Sequence, residues 1–432
     1  MFSRRSFLKA AAASSLSLCV QDLHAQQTNQ TGNSYDGPFV VVFNASGGWD
    51  TTYLMDPKGT AELNHLYQSD QILSVGNINY APNSAHIAAD ALSNQTFFER
   101  YGSELLVING IDVSVNNHSP CSRYVATGEL DSRLYPTFPA LVAACKAPDV
   151  PLSFLTFGNY SATGSLVAQT RVPYLRSLQS LATGNYTDTT RSREYHHADT
   201  VSLIEAKLLE VQQTGHHLSK VAQARSFVHQ AQDSSKSLER IVPFINNNAI
   251  SDSFLQQSEI ALAAFASGLG VSANLNLGNF DSHNTNDVDQ MNLIPKLLAG
   301  VDYMLTRAEE LSIRDRLIVI IQSEMGRTPW YNSTGGKDHW SVTSMMALGA
   351  GITGNRVVGG TGIDAETGFD QNPKLIDPVT LQESPTGIRI RPEHIQQAQR
   401  QLLGIADHPF AQRFALGLPA EETLTSLFTG SV

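Results

Sequence analysis

Short apolar runs of strand length recur along the chain and alternate with stretches of helical periodicity. The first run, Pro38–Phe43, is continuous and rich in valine, which is typical of a strand buried on both faces of a parallel sheet. Similar runs follow at Glu104–Ile108, Leu152–Phe157, Arg316–Ile321 and Met345–Leu348. Apolar positions at helical spacing occupy residues 199–240, 254–269 and 288–311. This alternation predicts a three-layer α/β/α sandwich with a mostly parallel central sheet.

One block of helical pattern, at about residues 199–270, is unusually long for a simple crossover between two strands. It predicts a helical insertion in the sandwich. We therefore expect residues 38–432 to form a single α/β domain that carries this insertion. Residues 26–37, which are rich in Gln, Thr, Asn and Gly, predict a flexible leader before the domain.

The start of the chain has the pattern of an export signal. Arg4 and Arg5 precede Phe-Leu-Lys, and an apolar run from Ala10 to Val20 follows. That run is shorter than the stretch of about 20 apolar residues that spans a bilayer as a helix. The pattern predicts a twin-arginine signal peptide at 1–25. It also predicts passage through the twin-arginine translocase and a periplasmic or secreted protein with no stable membrane insertion after cleavage.

Composition and charge narrow the classes of function. The 432 residues are 41% apolar and 16% charged, which is typical of a globular protein and not of disorder or a coiled coil. A net charge of −11 repels nucleic-acid backbones, so we expect no nucleic-acid partner. Removal of residues 1–25 leaves Cys121 and Cys145. The sequence leaves open whether these two cysteines pair in an oxidising compartment.

Polar residues collect directly after the strand-like runs, where the sites of open α/β sheets form. After the first run, two glycines are followed by Asp50, which is either a metal-binding or catalytic carboxylate or an ordinary helix cap. Asp281 and His283 lie two residues apart, so in an extended segment they share a face and can reach one ion. A polar loop is the structural alternative for that pair.

A third cluster follows the run Arg316–Ile321. Glu324 stands at the end of this predicted strand, and Arg327 follows it closely. The guanidinium of Arg327 could bind an oxyanion in bidentate fashion. Asp338 and His339 could ligate a second ion. A Glu–Arg salt bridge beside a capped helix is the structural alternative.

The motifs, taken in this order, resemble those of a known exported family. The twin arginines are followed by Gly-Gly-x-Asp, Asp-x-His, Ser-Glu-x-Gly-Arg-Thr and Gly-x-Asp-His, at Gly47–Asp50, Asp281–His283, Ser323–Thr328 and Gly336–His339. The set resembles the exported domain-of-unknown-function 1501 family, which is placed in the alkaline phosphatase and sulfatase superfamily. The resemblance runs from about Phe39 to Gly417.

This resemblance implies an alkaline phosphatase-like sheet with one or two divalent ions (Zn²⁺, Mn²⁺, Mg²⁺ or Ca²⁺) at its carboxyl edge. It implies hydrolysis of phosphate or sulfate esters of small molecules. Arg327 or Arg123 would stabilise charge on the transferred group. The implied metal ligands are Asp50, Asp281, His283, Glu324, Asp338 and His339.

The nucleophile is ambiguous under this resemblance. Alignment on the Ser-Arg pair of the sulfatase motif makes it Ser119, alignment on the following Thr-Gly pair makes it His118, and Thr51 is a third candidate. Met325 stands where relatives carry a ligating histidine, and a thioether is a poor ligand for these ions. A non-catalytic exported binding or assembly protein on the same scaffold is therefore the alternative function.

Overall fold

The computed structural model describes residues 34–82, 91–183, 185–188, 191–194, 198–213, 218, 220–221, 237–246 and 250–429. The predicted signal peptide, the leader up to residue 33 and residues 222–236 of the predicted insertion lie outside these ranges. Among the described helices, none combines the length and the apolar character needed to cross a membrane.

An eight-stranded sheet lies at the centre of the described part of the chain. Its strands are β1 Phe39–Ala45, β2 Leu106–Asp112, β3 Leu152–Thr156, β4 Gln169–Thr170, β5 Gly270–Leu277, β6 Leu317–Gln322, β7 Val342–Gly349 and β8 Arg356–Gly359. Their order across the sheet is β8-β2-β7-β6-β1-β5-β3-β4. Strand β7 pairs antiparallel with β6 and β2, and the other pairings are parallel. The predicted mostly parallel sheet is confirmed.

Helices and short hairpins surround this sheet. The helices are α1 Asn94–Tyr101, α2 His118–Thr127, α3 Phe138–Lys146, α4 Leu175–Thr183, α5 Ala198–Gln213, α6 Ser253–Ala266, α7 Asn286–Glu310, α8 Pro392–Leu402 and α9 Pro409–Arg413. Short 3-10 helices lie at Thr51–Tyr53, Ser69–Gln71, Leu238–Phe244, Arg314–Arg316 and Ala420–Glu422. Two-stranded ladders pair Leu73–Val75 with Ile78–Tyr80, Asn185–Asp188 with Arg191–Glu194, Gly326–Arg327 with His339–Trp340, and Thr361–Gly362 with Asn372–Pro373.

Successive side chains of β1 enter two different hydrophobic cores. Val41 belongs to the core that contains Leu297 of α7, whereas Val42 belongs to the core that contains Leu141 of α3. Because side chains alternate along a strand, the sheet is buried on both faces between helical layers. The predicted three-layer α/β/α sandwich is therefore confirmed.

The five apolar runs of the sequence all correspond to strands, but β4, β5 and β8 were not predicted. Strand β5 lies beside β1 in the middle of the sheet. Its pattern alternates apolar residues with Ser272, Asn274 and Asn276, so it does not form a continuous apolar run. These polar side chains are satisfied inside the fold. Asn274, for example, accepts a hydrogen bond from Asn44 Nδ2 at 2.6 Å.

Two of the predicted helices flank the sheet with nearly the predicted bounds. Helix α6 begins after Asp252, whose carboxylate accepts the N–H groups of Phe254 and Leu255, as expected of an N-cap. Helix α7 begins four residues after Ser282, so the Asp-x-His motif occupies the loop between β5 and α7. The carboxyl ends of β1, β5 and β6 thus bring three of the sequence motifs to one edge of the sheet.

Candidate functional site

Hydrogen bonds from backbone N–H groups of the loop after β1 to side chains of the segment after β6 join these two segments. Gly47 N–H donates to Glu324 Oε1 at 2.9 Å, and Trp49 N–H donates to Ser323 Oγ at 3.2 Å. Gly47 has a φ of +121°, and a Cβ added there would lie 2.5 Å from the backbone nitrogen of Asp281. A glycine is therefore required for the close approach of the Asp-x-His loop to the end of β1.

Asp281 lies among three histidines. Its Oδ1 is 2.9 Å from His283 Nε2 and 3.2 Å from His339 Nε2, and its Oδ2 is 3.4 Å from His118 Nε2. The Nε2 atoms of His283 and His339 are 3.1 Å apart. His118, Asp281 and His339 each offer one ligand atom within 4.8 Å of the other two, so the described residues contain a group able to hold a metal ion.

The outer nitrogen of each of these rings, Nδ1, lies at hydrogen-bonding distance from an oxygen. The partners are Glu324 Oε1 for His118 at 3.0 Å, Asp338 Oδ1 for His283 at 3.0 Å, and the backbone oxygen of Asn116 for His339 at 2.9 Å. A carbonyl or an ionised carboxylate only accepts, so Nδ1 donates in each ring. A neutral ring of this tautomer presents a lone pair on Nε2. When the three rings are neutral, three such nitrogens lie within 3.4 Å of one carboxylate.

This donor set matches the preferences of first-row divalent ions. Imidazole nitrogens and a carboxylate suit Zn²⁺ and its neighbours. Donor atoms about 2.0–2.1 Å from one ion lie roughly 3 Å from one another. The three separations among Asp281 Oδ1, His283 Nε2 and His339 Nε2 are 2.9, 3.1 and 3.2 Å. Without a cation or a proton between them, lone pairs at these distances repel.

Arg327 holds Asp281 in place from inside the protein. The residue is 1% exposed, and its guanidinium donates to Asp281 Oδ1 at 2.8 Å, to Gly48 O at 2.8 Å, to Lys337 O at 3.1 Å and to Gly47 O. Partial burial acts to raise the pKa of Asp281, but the hydrogen bond and charge of Arg327 outweigh it and lower that pKa to about 2. The guanidinium is thus hydrogen-bonded to groups inside the protein, and it keeps Asp281 ionised.

The hydrogen bonds between these carboxylates and the ring nitrogens also change pKa values within the site. The hydrogen bond with Glu324 raises the pKa of His118, and the hydrogen bond with His283 lowers the pKa of Asp338. Glu324 is buried and Asp338 is exposed. Because the pKa of His118 is raised, a proton competes with a cation for Nε2 more strongly than at an ordinary histidine.

The structure does not place Asp50 among the partners of the three histidines. Its Oδ1 accepts the N–H and the hydroxyl of Thr52, at 3.1 and 2.6 Å, and its Oδ2 accepts from Asn286 Nδ2 at 2.9 Å and from Lys337 Nζ at 2.7 Å. The side chains of Asp50 and Lys337 are both 0% exposed. The carboxylate that the resemblance implied as a metal ligand is here the partner of a buried lysine.

The three nucleophile candidates lie in different surroundings. Thr51 is buried, and Ser119 is exposed in the first turn of α2. His118, the first residue of α2, is the candidate whose side chain contacts Asp281. Met325 is fully buried in a small apolar cluster that also contains Cys121.

Two contributors to this site were not identified from the sequence. Lys337 entered only as the unspecified residue of the Gly-x-Asp-His motif, although its side chain neutralises Asp50. Asn116 contributes through its backbone oxygen, which carries no signal in the sequence. The sequence motifs did identify Asp281, His283 and His339, which lie at the centre of the cluster.

Comparison with solved structures gives distant likenesses. The lipoteichoic acid synthase LtaP from Listeria monocytogenes is 8% identical, with 94% of this chain and 79% of that chain covered and a TM-score of 0.38. The PsFucS1 sulfatase from Pseudoalteromonas sp. is 12% identical, with coverages of 92% and 72% and a TM-score of 0.36. TAB5 alkaline phosphatase, as a mutant, is 11% identical, with coverages of 74% and 92% and a TM-score of 0.31. Likenesses at these scores assign no activity to the chain.

The comparison of sequences is more specific. No curated protein matches the chain significantly. The family model described as "Protein of unknown function (DUF1501)" matches residues 159–378, which is more than half of the chain and includes the Asp-x-His, Ser-Glu-x-Gly-Arg-Thr and Gly-x-Asp-His motifs. The resemblance drawn from these motifs is confirmed, and the chain belongs to the DUF1501 family.

Proposed function

We propose that this protein binds a divalent transition-metal ion through His118, Asp281, His283 and His339 and is a metal-dependent hydrolase of phosphate or sulfate esters. One observation carries the proposal. The Nε2 atoms of three histidines converge on one carboxylate, while the Nδ1 atom of each ring is hydrogen-bonded to an acceptor.

The outer partners support metal binding. Histidines that ligate a metal commonly donate their other N–H to a carboxylate or a backbone carbonyl, which fixes the tautomer and the direction of the ring. Glu324, Asp338 and the backbone of Asn116 have this relation to the three rings. We therefore assign Glu324 and Asp338 to the orientation of histidine ligands, and Arg327 to the orientation of Asp281.

The surroundings of the site favour an anionic substrate. The side chains of His118, Asp281 and His283 are about two-fifths exposed, at 39%, 43% and 40%, so a substrate can reach them. His118 also begins α2, and its N-cap residue Asn117 makes no side-chain capping hydrogen bond. A helix N-terminus favours a negative charge. A phosphate or sulfate group beside His118 would interact with both the helix end and the ligand group.

Each residue then has a defined task. A bound divalent ion supplies Lewis-acid polarisation of an ester oxygen. Glu324 and Asp338 hold the protons on the outer ring nitrogens, so the inner nitrogens remain ligands. Arg327 keeps Asp281 ionised and fixed in direction. Gly47 allows the loop of Asp281 to approach the end of β1.

A metal-binding form of the alternative function, a non-catalytic exported binding or assembly protein, is favoured by a different observation. Thr51 is buried, and burial raises the pKa of the Cys121 thiol to about 12. Neither group is thus an activated nucleophile. Both functions require the metal, and they differ in turnover.

Metal analysis combined with an ester panel tests the proposal. Protein from residue 26 onward is purified, its metal content is measured by mass spectrometry, and phosphate and sulfate monoesters and diesters are assayed. We expect one ion per chain and metal-dependent turnover in the wild type, and loss of both in His283→Ala and Asp281→Asn. His408→Ala is a matched control, because His408 caps α9 by accepting the N–H of Phe410. A wild type that binds no ion overturns the proposal, and a loaded but inactive wild type supports the alternative function.

We also propose that residues 1–25 direct export through the twin-arginine pathway. The supporting feature is the Arg-Arg pair before a short apolar run. Replacing Arg4 and Arg5 together by lysine is expected to retain the protein in the cytoplasm, as measured by cell fractionation. Unchanged export of the double variant would contradict this proposal.

A further inference from the structure

Ser282 lies between Asp281 and His283 in the sequence, but its side chain is on the inner side of the segment. The side chains of Asp281 and His283 are 43% and 40% exposed, whereas Ser282 is 1% exposed. This alternation matches an extended segment, in which side chains at i and i+2 share a face and the residue between them faces the opposite side. The segment that carries two proposed ligands therefore also sends a hydroxyl group into the protein interior.

The hydroxyl of Ser282 belongs to a closed circuit of four hydrogen bonds. Ser282 Oγ donates to Asn286 Oδ1 at 2.6 Å, and Asn286 Nδ2 donates to Asp50 Oδ2 at 2.9 Å. The backbone N–H of Asp50 donates to Gln290 Oε1 at 2.9 Å, and Gln290 Nε2 donates to Ser282 Oγ at 3.0 Å. We call these four residues the buried network, because each of them is at most 1% exposed.

The partners determine the direction of every hydrogen bond in the buried network. The Asp50 carboxylate, which is paired with Lys337, only accepts, so the amide nitrogen of Asn286 faces it. The N–H of Asp50 only donates, so the amide oxygen of Gln290 faces it. These orientations leave the Ser282 hydroxyl with one acceptor, at Asn286, and one donor, at Gln290. The hydroxyl is therefore held in a single direction.

The buried network connects the ligand segment to distant parts of the chain. Asp50 follows β1, and Asn286 and Gln290 lie one turn apart on α7. Gln290 Nε2 also donates to the backbone oxygen of Phe280 at 3.0 Å. Both residues that flank Asp281 are thus bonded to the same side chain of α7, so Asp281 has a fixed position relative to that helix.

The backbone of the ligand segment has partners as well. The backbone oxygen of Ser282 accepts the N–H of Lys337 at 3.1 Å. The backbone oxygen of His283 accepts from Asn332 Nδ2 at 2.8 Å and from Thr334 Oγ1 at 3.0 Å. The segment is therefore bonded to its surroundings on both sides of His283, and the hydroxyl of Ser282 is the side chain that anchors it in the protein interior.

We infer that Ser282 is a positioning residue of the divalent-metal site, and this inference rests on the proposed function. Its hydroxyl holds the residue between two ligands and so maintains the separation of 2.9 Å between Asp281 Oδ1 and His283 Nε2. It acts through these ligands and does not contact the ion. Groups that orient metal ligands typically change metal affinity by roughly 10–100-fold when they are removed.

The test is a titration of metal-stripped, full-length folded protein with cobalt(II) chloride, followed in the visible spectrum. The intensity of the cobalt d–d band reports the number and geometry of the ligands. In Ser282→Ala we expect the Kd for cobalt to rise roughly tenfold and the band to weaken per bound ion. A serine that only stabilised the fold would leave the spectrum of the bound ion unchanged.

Two further variants complete the test. Ser272→Ala removes another buried serine hydroxyl, which donates to Pro139 O at 2.7 Å, and is expected to keep the wild-type affinity and spectrum. Gln290→Met removes the donor to Ser282 from the side of α7 and is expected to have the same effect as Ser282→Ala. Circular dichroism shows which variants fold, and Gln290→Met replaces Ser282→Ala in the test if the latter does not.

The outcomes separate this inference from the proposed function. Wild-type affinity and spectrum in folded Ser282→Ala would overturn the inference and leave the proposed function intact. An equal loss of affinity and band intensity in Ser272→Ala would also overturn it, because the effect would then follow from any buried hydroxyl. A wild type that binds no cobalt would overturn the proposed function and this inference with it.

Discussion

Lys337 and Asp50 form an ion pair that is fully buried in the protein. Lys337 Nζ lies 2.7 Å from Asp50 Oδ2, and neither side chain has any exposed surface. Asn286 and Thr52 donate the remaining hydrogen bonds to this carboxylate, and Lys337 also donates to the backbone oxygen of Leu63. A buried pair that is satisfied in this way is stable as a unit, whereas either charge alone is costly.

We predict that Lys337→Met is strongly destabilising, because it leaves the carboxylate of Asp50 buried without a counter-charge. The expected loss is about 3–5 kcal/mol in the free energy of unfolding, measured by urea denaturation. The exposed pair of Lys374 and Glu383, at 2.8 Å, provides the control, and Lys374→Met is expected to cost at most about 1 kcal/mol. Equal losses in the two variants would contradict the role assigned to burial.

Gly47 is expected to tolerate no side chain. An added Cβ meets the backbone nitrogen of Asp281 at 2.5 Å, and its φ of +121° is strained for other residues. We predict that Gly47→Ala costs more than about 1 kcal/mol and weakens metal binding, because the Asp281 loop must move. Gly278→Ala is the control, since a Cβ there meets nothing within 4 Å. Thermal unfolding and metal titration of both variants measure the difference, and equivalent behaviour would refute the prediction.

The ionisation of Asp281 predicts a pH dependence of stability in the metal-free protein. Arg327 lowers the pKa of Asp281 to about 2 in the folded state, from an ordinary value of 3.8. The unfolded state therefore takes up the proton first as the pH falls. The stability that Asp281 contributes is present above pH 3.8 and is lost as the pH falls toward 2.

Asp281→Asn isolates this contribution. Denaturation of the variant, followed between pH 5 and pH 2, should show a weaker fall in unfolding free energy than the wild type. Asp36→Asn is a suitable control, because the Asp36 side chain is 94% exposed. If the two variants and the wild type have the same slope, Asp281 does not have the lowered pKa that its contacts imply.

Cys121 and Cys145 are both free thiols in the structure, which answers the question that the sequence left open. Burial raises the pKa of each thiol to about 12. Because the thiolate is the reactive form, we predict slow alkylation by iodoacetamide at pH 8 in the folded protein and fast alkylation in denaturant. Mass spectrometry of tryptic peptides measures both rates. A peptide that joins the two cysteines would contradict the structure.

The strands of the fold were predictable where a single physical signal dominated. The run at Phe39–Ala45 is apolar throughout because both faces of β1 are buried. Strand β5 is just as central, but its alternate positions hold Ser and Asn, which pair with neighbours such as Asn44. A local pattern does not reveal a polar side chain whose partner lies more than 200 residues away.

The residues of the candidate site were likewise predictable only in part. Asp281, His283 and His339 were identified because the chemistry of carboxylate and imidazole is visible in the sequence, and the structure brings these side chains together. The same chemistry also indicated Asp50 as a ligand, but the Asp50 carboxylate forms an ion pair with Lys337. Residue type alone does not distinguish a ligand from the partner of a buried cation.

Local periodicity in the sequence was enough for the fold class, and the order of the motifs was enough for the family. Residue type also indicated Asp281, His283 and His339 as possible metal ligands, whereas His118 was only a nucleophile candidate. Which side chains lie close together became clear from the packing of the folded chain. In the structure His118 is hydrogen-bonded to Glu324, His283 is hydrogen-bonded to Asp338, and Asp50 forms an ion pair with Lys337. These pairings form where the ends of distant strands and loops meet at one edge of the sheet. Because the partners are far apart along the chain, their proximity cannot be inferred from the local sequence.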